Sequence, residues 1–328
     1  MRVLLTGSTG FLGKHVAHAL AGAGHELRLL ARESSNLDGL PPGEIVRGDV
    51  TDRESLRRAA EGCGAICHLA ALVKTWVPDP SRFDAVNVQG LRHVLEAARD
   101  AGARLVYTSS FIAIGPAGPQ PADESRVHPG DRYRNDYERT KAQADALARA
   151  AAAAGQDVVM LYPGVIYGPG ELTEGNIVVK LVMDHARGRM PAILGPGDRL
   201  WSYAYVDDVA DGHVRALEIG RIGEEYLLGG ENAPQMRVFE IVRELTGAPL
   251  PRRLPYAVAA AAARLEEARA RLTGRAPLIT RGVVEILRHD WSMDSRGSID
   301  ELGYRTTPLE SGLKALLESF SSFLLPSK

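Results

Sequence analysis

A glycine-rich turn near the start of the chain, TGSTGFLG at residues 6–13, constrains the fold more than any other feature. It follows the apolar run at residues 3–5 and precedes apolar residues at helical spacing, so strand, turn and helix are predicted in that order. Gly7 permits the tight turn, Gly10 lets the backbone approach a pyrophosphate, and Gly13 lets the helix pack on the strand. The free amides that begin such a helix favour an anion. An ordinary strand-to-helix turn is the alternative, but the context favours a dinucleotide in contact with Gly7, Thr9, Gly10, Phe11, Leu12 and Gly13.

Apolar runs alternate with helical patterns through the first half of the chain. Strands are predicted at residues 3–5, 26–31, 44–47, 65–69, 104–108 and 158–162, with helices between them. This alternation is typical of a parallel sheet covered by helices on both faces. The sequence therefore predicts an α/β fold with a Rossmann doubly wound parallel sheet.

The composition limits the class of partner. The 328 residues are 45% hydrophobic and carry a net charge of −2, without a basic run that would bind a phosphate backbone. We expect a small-molecule substrate and no nucleic acid. No apolar run approaches the roughly eighteen residues of a membrane span, and a strand begins at once, so we expect no membrane partner, no signal peptide and a cytoplasmic location. Cys63 and Cys67 suit a reduced buried pair, and no metal site is expected.

The ends of the second, third and fourth strands carry further candidates for cofactor binding. Arg32 ends the second strand, where an acidic residue would bind the ribose of NAD and an arginine suits the 2′-phosphate of NADP. Arginine can also stack on adenine, so NADP is favoured and NAD stays open. Asp49 and Val50 are expected near the adenine, although Asp49 can equally be a loop aspartate. His68 is predicted to be a structural core histidine. The small-residue loop after it is expected to pass the cofactor through Leu69, Ala70 and Ala71.

Tyr137 and Lys141 stand four residues apart on a predicted helix and therefore share one face. A free phenol has a pKa of about 10, so proton transfer to a carbonyl oxygen at neutral pH needs a positive charge beside it. An exposed helical pair is the alternative interpretation. Ser110 ends the fifth strand, and ligands bind at the carboxyl ends of parallel strands. This arrangement favours one site that contains all three residues.

The chain resembles the extended short-chain dehydrogenase/reductases, the NAD-dependent epimerase/dehydratase family, over nearly its whole length. The matching segments are TGSTGFLG at 6–13, GDVTD at 48–52, HLAA at 68–71, NVQG at 87–90, YTSS at 107–110, YERTK at 137–141, LYPGVIYGPG at 161–170 and YVDDVA at 205–210. The resemblance implies that Tyr137 is the catalytic acid/base, that Ser110 orients the carbonyl and that Lys141 binds the nicotinamide ribose.

The same resemblance implies further roles and the domain organisation. Ser110 is preferred to Ser109 because the family's catalytic serine lies five residues before a glycine, here Gly115. Asn87 would support the active-site hydrogen bonds, and Pro163 and Val165 would flank the nicotinamide. Residues 1–165 would form the NAD(P)-binding Rossmann domain. Residues 166–328 would mainly form a smaller α/β substrate-binding domain, with segments that return to the first. The helices containing Asn87 and Tyr137 would pair in a homodimer.

Departures from the family patterns indicate the reaction. Dehydratases replace the serine pair with Thr-Asp-Glu, so dehydration is disfavoured here. Nucleotide-sugar epimerases place an arginine five residues before Val206, where this chain has Trp201. An aromatic side chain there favours a flat or apolar substrate, since a diphosphate would lose charge-assisted bonds. Asn176, Arg187, Arg189 and Arg199 are the residues that could still bind a diphosphate.

We therefore predict an NADP(H)-dependent oxidoreductase of the dihydroflavonol-reductase-like branch, which reduces a ketone or aldehyde of an apolar or flat molecule. Its predicted substrate contacts are Trp76, Ser110, Ile112, Asn176 and Trp201. An NAD-dependent nucleotide-sugar epimerase is one alternative. The other is a non-catalytic NADP-binding sensor, although such relatives typically lose the Tyr or the Lys, and this chain keeps both.

Overall fold

Parallel strands form the frame of the protein, and the computed structural model describes residues 1–171, 176–190 and 192–320. The strands in these ranges are β1 (Arg2–Thr6), β2 (Glu26–Ala31), β3 (Glu44–Arg47), β4 (Ala65–His68), β5 (Arg104–Thr108), β6 (Val158–Pro163), β7 (Val165–Tyr167), β8 (Ala192–Leu194), β9 (Leu200–Tyr205), β10 (Glu225–Leu228), β11 (Glu231–Pro234) and β12 (Arg252–Leu254). Seven of them form one parallel sheet in the order β10-β6-β5-β4-β1-β2-β3. The predicted doubly wound α/β fold is confirmed.

Helices connect the strands. They are α1 (Phe11–Gly22), α2 (Arg53–Ala60), α3 (Ser81–Phe83), α4 (Gly90–Ala101), α5 (Asp136–Ala153), α6 (Ile177–Ala186), α7 (Val206–Ile219), α8 (Gln235–Thr246), α9 (Tyr256–Thr273), α10 (Arg281–Leu287), α11 (Arg296–Leu302) and α12 (Leu309–Ser319). A π-helical turn, Asp84–Gln89, joins α3 to α4, where the sequence predicts one regular helix from 81 to 101. Such turns are frequent at functional sites, and this one contains Asn87.

The two faces of the large sheet bury alternate residues of each strand. In β1, Leu4 packs with α2 and α4, whereas Val3 and Leu5 pack with α1 and α7. This follows from the two-residue repeat of a strand, in which successive side chains point to opposite faces. Full burial of each such side chain contributes about 1.5–3 kcal/mol, so the apolar runs that identify the strands also build both cores.

The second half of the chain adds two small sheets and contributes to the large one. Strands β11, β9 and β7 form a three-stranded sheet, and β12 pairs with β8. Helix α7 packs in the core beside α1, and β10 pairs with β6, so both return to the first half of the fold. No helix in the described ranges has the length and apolar character to cross a bilayer.

Two buried histidines lie on either side of this frame. Nδ1 of His68 is 2.7 Å from the Thr6 hydroxyl. His213, on α7, is bound at both ring nitrogens, to the Val209 carbonyl at 2.7 Å and the Thr108 hydroxyl at 2.8 Å. Burial lowers the pKa of His68 to about 3, with a further contribution from the Lys141 charge, and burial lowers the pKa of His213 to about 4. Both rings are therefore neutral in the folded protein at pH 7.

Acid should destabilise the protein through these histidines. The unfolded chain takes up a proton at each near pH 6.5, whereas the folded chain does so only near pH 3 to 4, so stability falls as the pH drops through this window. Between pH 7 and pH 5.5 the free energy of unfolding should fall by about 1 kcal/mol for each ring. Urea unfolding at several pH values measures it. His213→Asn should reduce this slope, whereas His18→Asn, at an exposed position, should not. Equal slopes in all three proteins would contradict the assignment.

Candidate active site

The glycine turn lies at the edge of the sheet where the strand order reverses, because β1 is flanked by β2 and by β4. Gly7 has φ +77°, and a side chain there would meet the Ala70 amide nitrogen at 2.7 Å. A Cβ on Gly13 would lie 2.0 Å from the Gly7 carbonyl oxygen. Both positions require glycine, because the backbones of the turn, the 69–71 loop and α1 are in direct contact.

The residues around this turn fit the pyrophosphate of a dinucleotide. Helix α1 has no acidic residue in its first turn, and its N-cap Gly10 offers no side-chain acceptor. The amides there are thus free for an anion, and the helix dipole favours negative charge. Thr9, Gly10 and Phe11 line a small cleft at this point, together with Lys14 and Gly170. Leu12 is partly buried and packs against the core.

The loop after β4 is held next to the turn by hydrogen bonds. The amides of Leu69 and Ala70 bind the carbonyl and hydroxyl oxygens of Thr6 at 3.2 and 3.3 Å. Beyond Ala71, the amide of Leu72 donates to Oδ1 of Asn87 at 2.7 Å, while Nδ2 of Asn87 donates to the Thr140 hydroxyl at 3.0 Å. Asn87 therefore ties this loop to α5, and Thr140 is its partner that the sequence analysis missed.

Two arginines lie at the ends of β2 and β3, where the sequence predicts the adenine end of the cofactor. The Arg32 side chain is exposed and makes no ion pair with a described residue. Arg47, at the end of β3, donates to the Arg32 carbonyl oxygen at 2.7 Å and brings a second guanidinium there. Oδ1 of Asp49 accepts from the amide and hydroxyl of Thr51, and Val50 is buried. The Asp49 carboxylate thus stabilises the loop in which it lies.

Ser110 and Tyr137 meet at the carboxyl end of β5. Ser110 is 8% exposed and caps the short 3-10 turn Phe111–Ile114, and its hydroxyl lies close enough to the Tyr137 phenol to act on its pKa. Burial raises the pKa of this phenol to about 12, and the nearby Ser110 hydroxyl opposes the rise. Pro163, which ends β6, and Val165, which begins β7, are also buried.

Lys141 lies one turn further along α5 and is buried. Its ammonium donates to the Thr108 carbonyl oxygen at 2.9 Å and to the Tyr107 hydroxyl at 3.1 Å. Burial lowers its pKa to about 8, while the Asp145 carboxylate acts to raise it. From the sequence we expect a positive charge, that of Lys141, beside the Tyr137 phenol. Instead Lys141 is bound by acceptors at the end of β5, and the pKa of Tyr137 is raised.

A polar stripe on α5 supports these residues and was missed by the sequence analysis. Asp145 is 3% exposed and accepts from the Ser109 hydroxyl at 2.9 Å and from Arg149 at 2.8 Å. Arg149 also pairs with Glu225 on β10. The signal was available, because Tyr137, Lys141, Asp145 and Arg149 repeat every four residues and so share one helical face. Ser109 is committed to this network, which leaves Ser110 as the serine beside Tyr137.

Trp76 lines a cavity of about 220 Å³ at the start of α5. Val77, Pro80 and Phe83 form its apolar side, and Asn135 and Asp136 lead directly to Tyr137. The remaining lining residues are Thr75, Arg134, Glu267, Arg271, Thr280 and Gly282. The cavity is therefore mixed in polarity, with an indole and a phenyl ring on one side.

The other predicted substrate residues occupy different environments. Trp201 donates from Nε1 to the His289 carbonyl at 3.2 Å and packs against the core formed by β7, β9 and α6. Ile112 is buried, and its amide is 3.4 Å from the Ser110 hydroxyl. Asn176 caps α6 through Oδ1, whereas its buried Nδ2 has no partner among the described residues. Trp201 is not among the residues that line the cavity of Trp76.

Comparisons with known proteins concern the family and the fold. The model of the NAD dependent epimerase/dehydratase family matches residues 3–229. A putative dihydroflavonol 4-reductase of Synechocystis sp. is 32% identical over 97% of this chain and 94% of its own length. Sterol demethylase protein B of Methylococcus capsulatus is 37% identical over 77% of this chain and 76% of its own. A crystal structure of a nucleoside-diphosphate-sugar epimerase from Pseudomonas aeruginosa has 26% identity and a TM-score of 0.78, with 98% of both chains covered.

Gly13→Ala should disrupt the turn, because the new methyl group would overlap the Gly7 carbonyl. We expect a loss of about 1–3 kcal/mol in the free energy of unfolding, and a large loss of dinucleotide affinity. Gly22→Ala is the matched control, since nothing lies within 4 Å of its Cβ position in the same helix. Chemical denaturation and a binding titration measure both variants. Similar behaviour of the two would refute the close contact.

Proposed function

From its membership of the NAD dependent epimerase/dehydratase family, we propose that this chain reduces the carbonyl group of an apolar or flat small molecule with NADPH. The chain is an NAD(P)-dependent enzyme of the extended short-chain dehydrogenase/reductase type. The observation that carries the proposal is the grouping of the Ser110 and Tyr137 hydroxyls, with Lys141 one turn away, at the same edge of the parallel sheet as the glycine turn. Hydroxyl, phenol and ammonium are the groups that orient a carbonyl and give it a proton.

In this proposal the dinucleotide is held by the glycine turn, with Lys141 at the nicotinamide ribose and Pro163 and Val165 beside the nicotinamide. When bound, the cofactor supplies a hydride to the carbonyl carbon. Ser110 orients the carbonyl oxygen, and Tyr137 gives that oxygen its proton. With a pKa of about 12, the phenol is protonated at pH 7, which is the form that a reduction requires. Asn87 keeps the loop of Ala70 and Ala71 against the site.

An apolar substrate is supported by the residues near Tyr137. The cavity next to α5 offers the rings of Trp76 and Phe83. The arginines considered for a diphosphate are poorly placed. Arg187 and Arg189 follow the far end of α6, about 15 Å from Asn176 for a helix of this length. Arg199 is engaged by Asp198 and Asp290, each at 3.4 Å.

A nucleotide-sugar epimerase is the second candidate function. The observation that favours it is Asn176, whose buried Nδ2 is a donor without a described partner and could bind a phosphate oxygen. The non-catalytic sensor is disfavoured, because both Tyr137 and Lys141 are present and grouped.

NADP as the preferred cofactor is supported by the charge at the adenine end. The Arg47 guanidinium binds the Arg32 carbonyl oxygen there, and Glu33, which lies 4.0 Å from Arg47, is 85% exposed. Two guanidinium groups suit a 2′-phosphate. The homodimer through α4 and α5, and the cytoplasmic location, stay predictions.

Tyr137→Phe should abolish turnover and leave cofactor binding nearly intact, because it removes one proton and little volume. The loss should reach about 10²- to 10⁴-fold in kcat. Tyr133→Phe is the control, since Tyr133 stacks on His128 outside the proposed site. Lys141→Met should reduce both turnover and NADP(H) affinity. Wild-type turnover in Tyr137→Phe, or unchanged NADP(H) affinity in Lys141→Met, would refute the respective role.

Arg32→Asp should shift preference from NADP(H) to NAD(H), because the 2′-phosphate loses a counter-charge and the ribose hydroxyl gains an acceptor. The ratio of the two dissociation constants, from titration, is the readout. Arg243→Asp, an exposed position in α8, should leave that ratio unchanged. Wild-type protein that binds NAD more tightly than NADP would overturn the preference.

Calorimetry on the NADP-loaded protein should distinguish the substrate classes. We expect a flat aromatic hydroxyketone to bind and UDP and UDP-glucose to bind weakly, since each lost charge-assisted bond costs about 1.5–3 kcal/mol, or tenfold or more in affinity. Micromolar UDP binding with no response to the hydroxyketone would favour the epimerase. If no ketone or aldehyde in a panel supports NADPH oxidation, the sensor is favoured.

A further inference from the structure

Helix α9 carries an exposed apolar stripe. Val258, Leu265 and Leu272 are 51%, 73% and 88% exposed, and Leu278 in the following loop is 90% exposed. Ala261 and Ala268 are also exposed and alternate with Val258, Leu265 and Leu272. Successive members of this set are three or four positions apart, so all five fall on one side of the helix. Contiguous exposed apolar surface of this kind marks an interaction site.

The stripe lies opposite the side by which α9 packs on the protein. Ala259 and Ala263 are fully buried and pack with Val284 of α10. At 100° per residue, these alanines point about 140° away from Leu265. The exposed stripe and the buried side of α9 are therefore different faces of the helix.

Arginines without a carboxylate partner border the stripe. Arg264 and Arg271 lie along one edge of the helix, and Arg275 follows its C-cap, Gly274. None of the three forms an ion pair with a described residue. The acidic residues of the helix are engaged elsewhere, because Glu266 binds Arg269 and Glu267 binds Arg281.

We propose that this surface, the stripe of α9 with Leu278 and its arginines, docks on an anionic lipid bilayer. An amphipathic helix with arginines beside an apolar face lies in the headgroup region, where the apolar side chains enter the acyl boundary and the guanidinium groups bind anionic headgroups. The spacing would also suit a second copy of α9, but Arg264 and Arg271 would then face arginines of the other copy, and like charges there repel. Charge thus favours the bilayer.

The position of the surface indicates a role in bringing substrate to the cavity, and this role rests on the proposed function. Glu267 and Arg271 of the same helix line the cavity that contains Trp76. A docked α9 would hold this cavity near the bilayer, in which an apolar carbonyl substrate would itself accumulate. The helix lies on the membrane in this arrangement and does not cross it, so the proposal departs from the expectation of no membrane partner.

Vesicle flotation tests the docking. We expect the protein to bind vesicles of equal parts phosphatidylcholine and phosphatidylglycerol, to bind phosphatidylcholine alone far more weakly, and to dissociate as salt is raised. Arg264→Gln/Arg275→Gln should weaken binding about 25-fold, or about fivefold for each arginine. Leu265→Gln/Leu272→Gln should weaken it about tenfold or more. The controls, Arg58→Gln/Arg305→Gln and Ile219→Gln/Ile222→Gln, change exposed residues elsewhere and should bind like wild type.

Absence of binding to the anionic vesicles, or equal weakening in the controls, would overturn the proposal. A leucine variant whose mass in solution falls relative to wild type, by light scattering, would identify a second copy as the occupant and would also overturn it. NADPH oxidation with a soluble ketone, measured without vesicles, tests the proposed function separately. The leucine variant should retain that activity.

Discussion

The contact between α1 and the glycine turn is the constraint on which the site depends. With no side chain at Gly13, the helix approaches the Gly7 carbonyl closely enough that a methyl group would lie 2.0 Å from it. This proximity directs the free amides of α1 to the reversal point of the sheet. The loop of Ala70 is packed against the same turn and is held by Thr6. The cofactor cradle is therefore formed by backbone atoms, and its shape depends on the absence of side chains at Gly7 and Gly13.

The chemistry beside that cradle depends on one helix. Helix α5 presents Tyr137 to Ser110 and Lys141 to the end of β5, and Asp145 then holds Ser109. Burial shifts the pKa of both catalytic candidates, upward for the phenol and downward for the ammonium, since in each case the charged form is the one that loses hydration. The stripe of polar residues is stabilised because each member is paired.

Charge is unevenly distributed over the molecule, although the net charge is only −2. The Arg47 side chain binds the Arg32 carbonyl oxygen at the ends of β2 and β3, while Arg264, Arg271 and Arg275 border the apolar stripe of α9. Most ion pairs among the described residues are exposed and contribute little to stability. In the two proposals, Arg32 and Arg47 would bind a 2′-phosphate, and the arginines of α9 would bind anionic headgroups.

The sequence by itself determined the doubly wound sheet, the glycine turn and the alignment of Tyr137 with Lys141, because these depend on local repeats of two and about four residues and on the backbone freedom of glycine. It did not reveal that Lys141 binds Tyr107, that Asn87 binds Thr140, that Trp201 is bound to the His289 carbonyl, or that the stripe of α9 is exposed. Those facts depend on which residues distant in the chain become neighbours. Only tertiary packing decides that, because the same apolar helical face can be core or surface and the same lysine can find several acceptors.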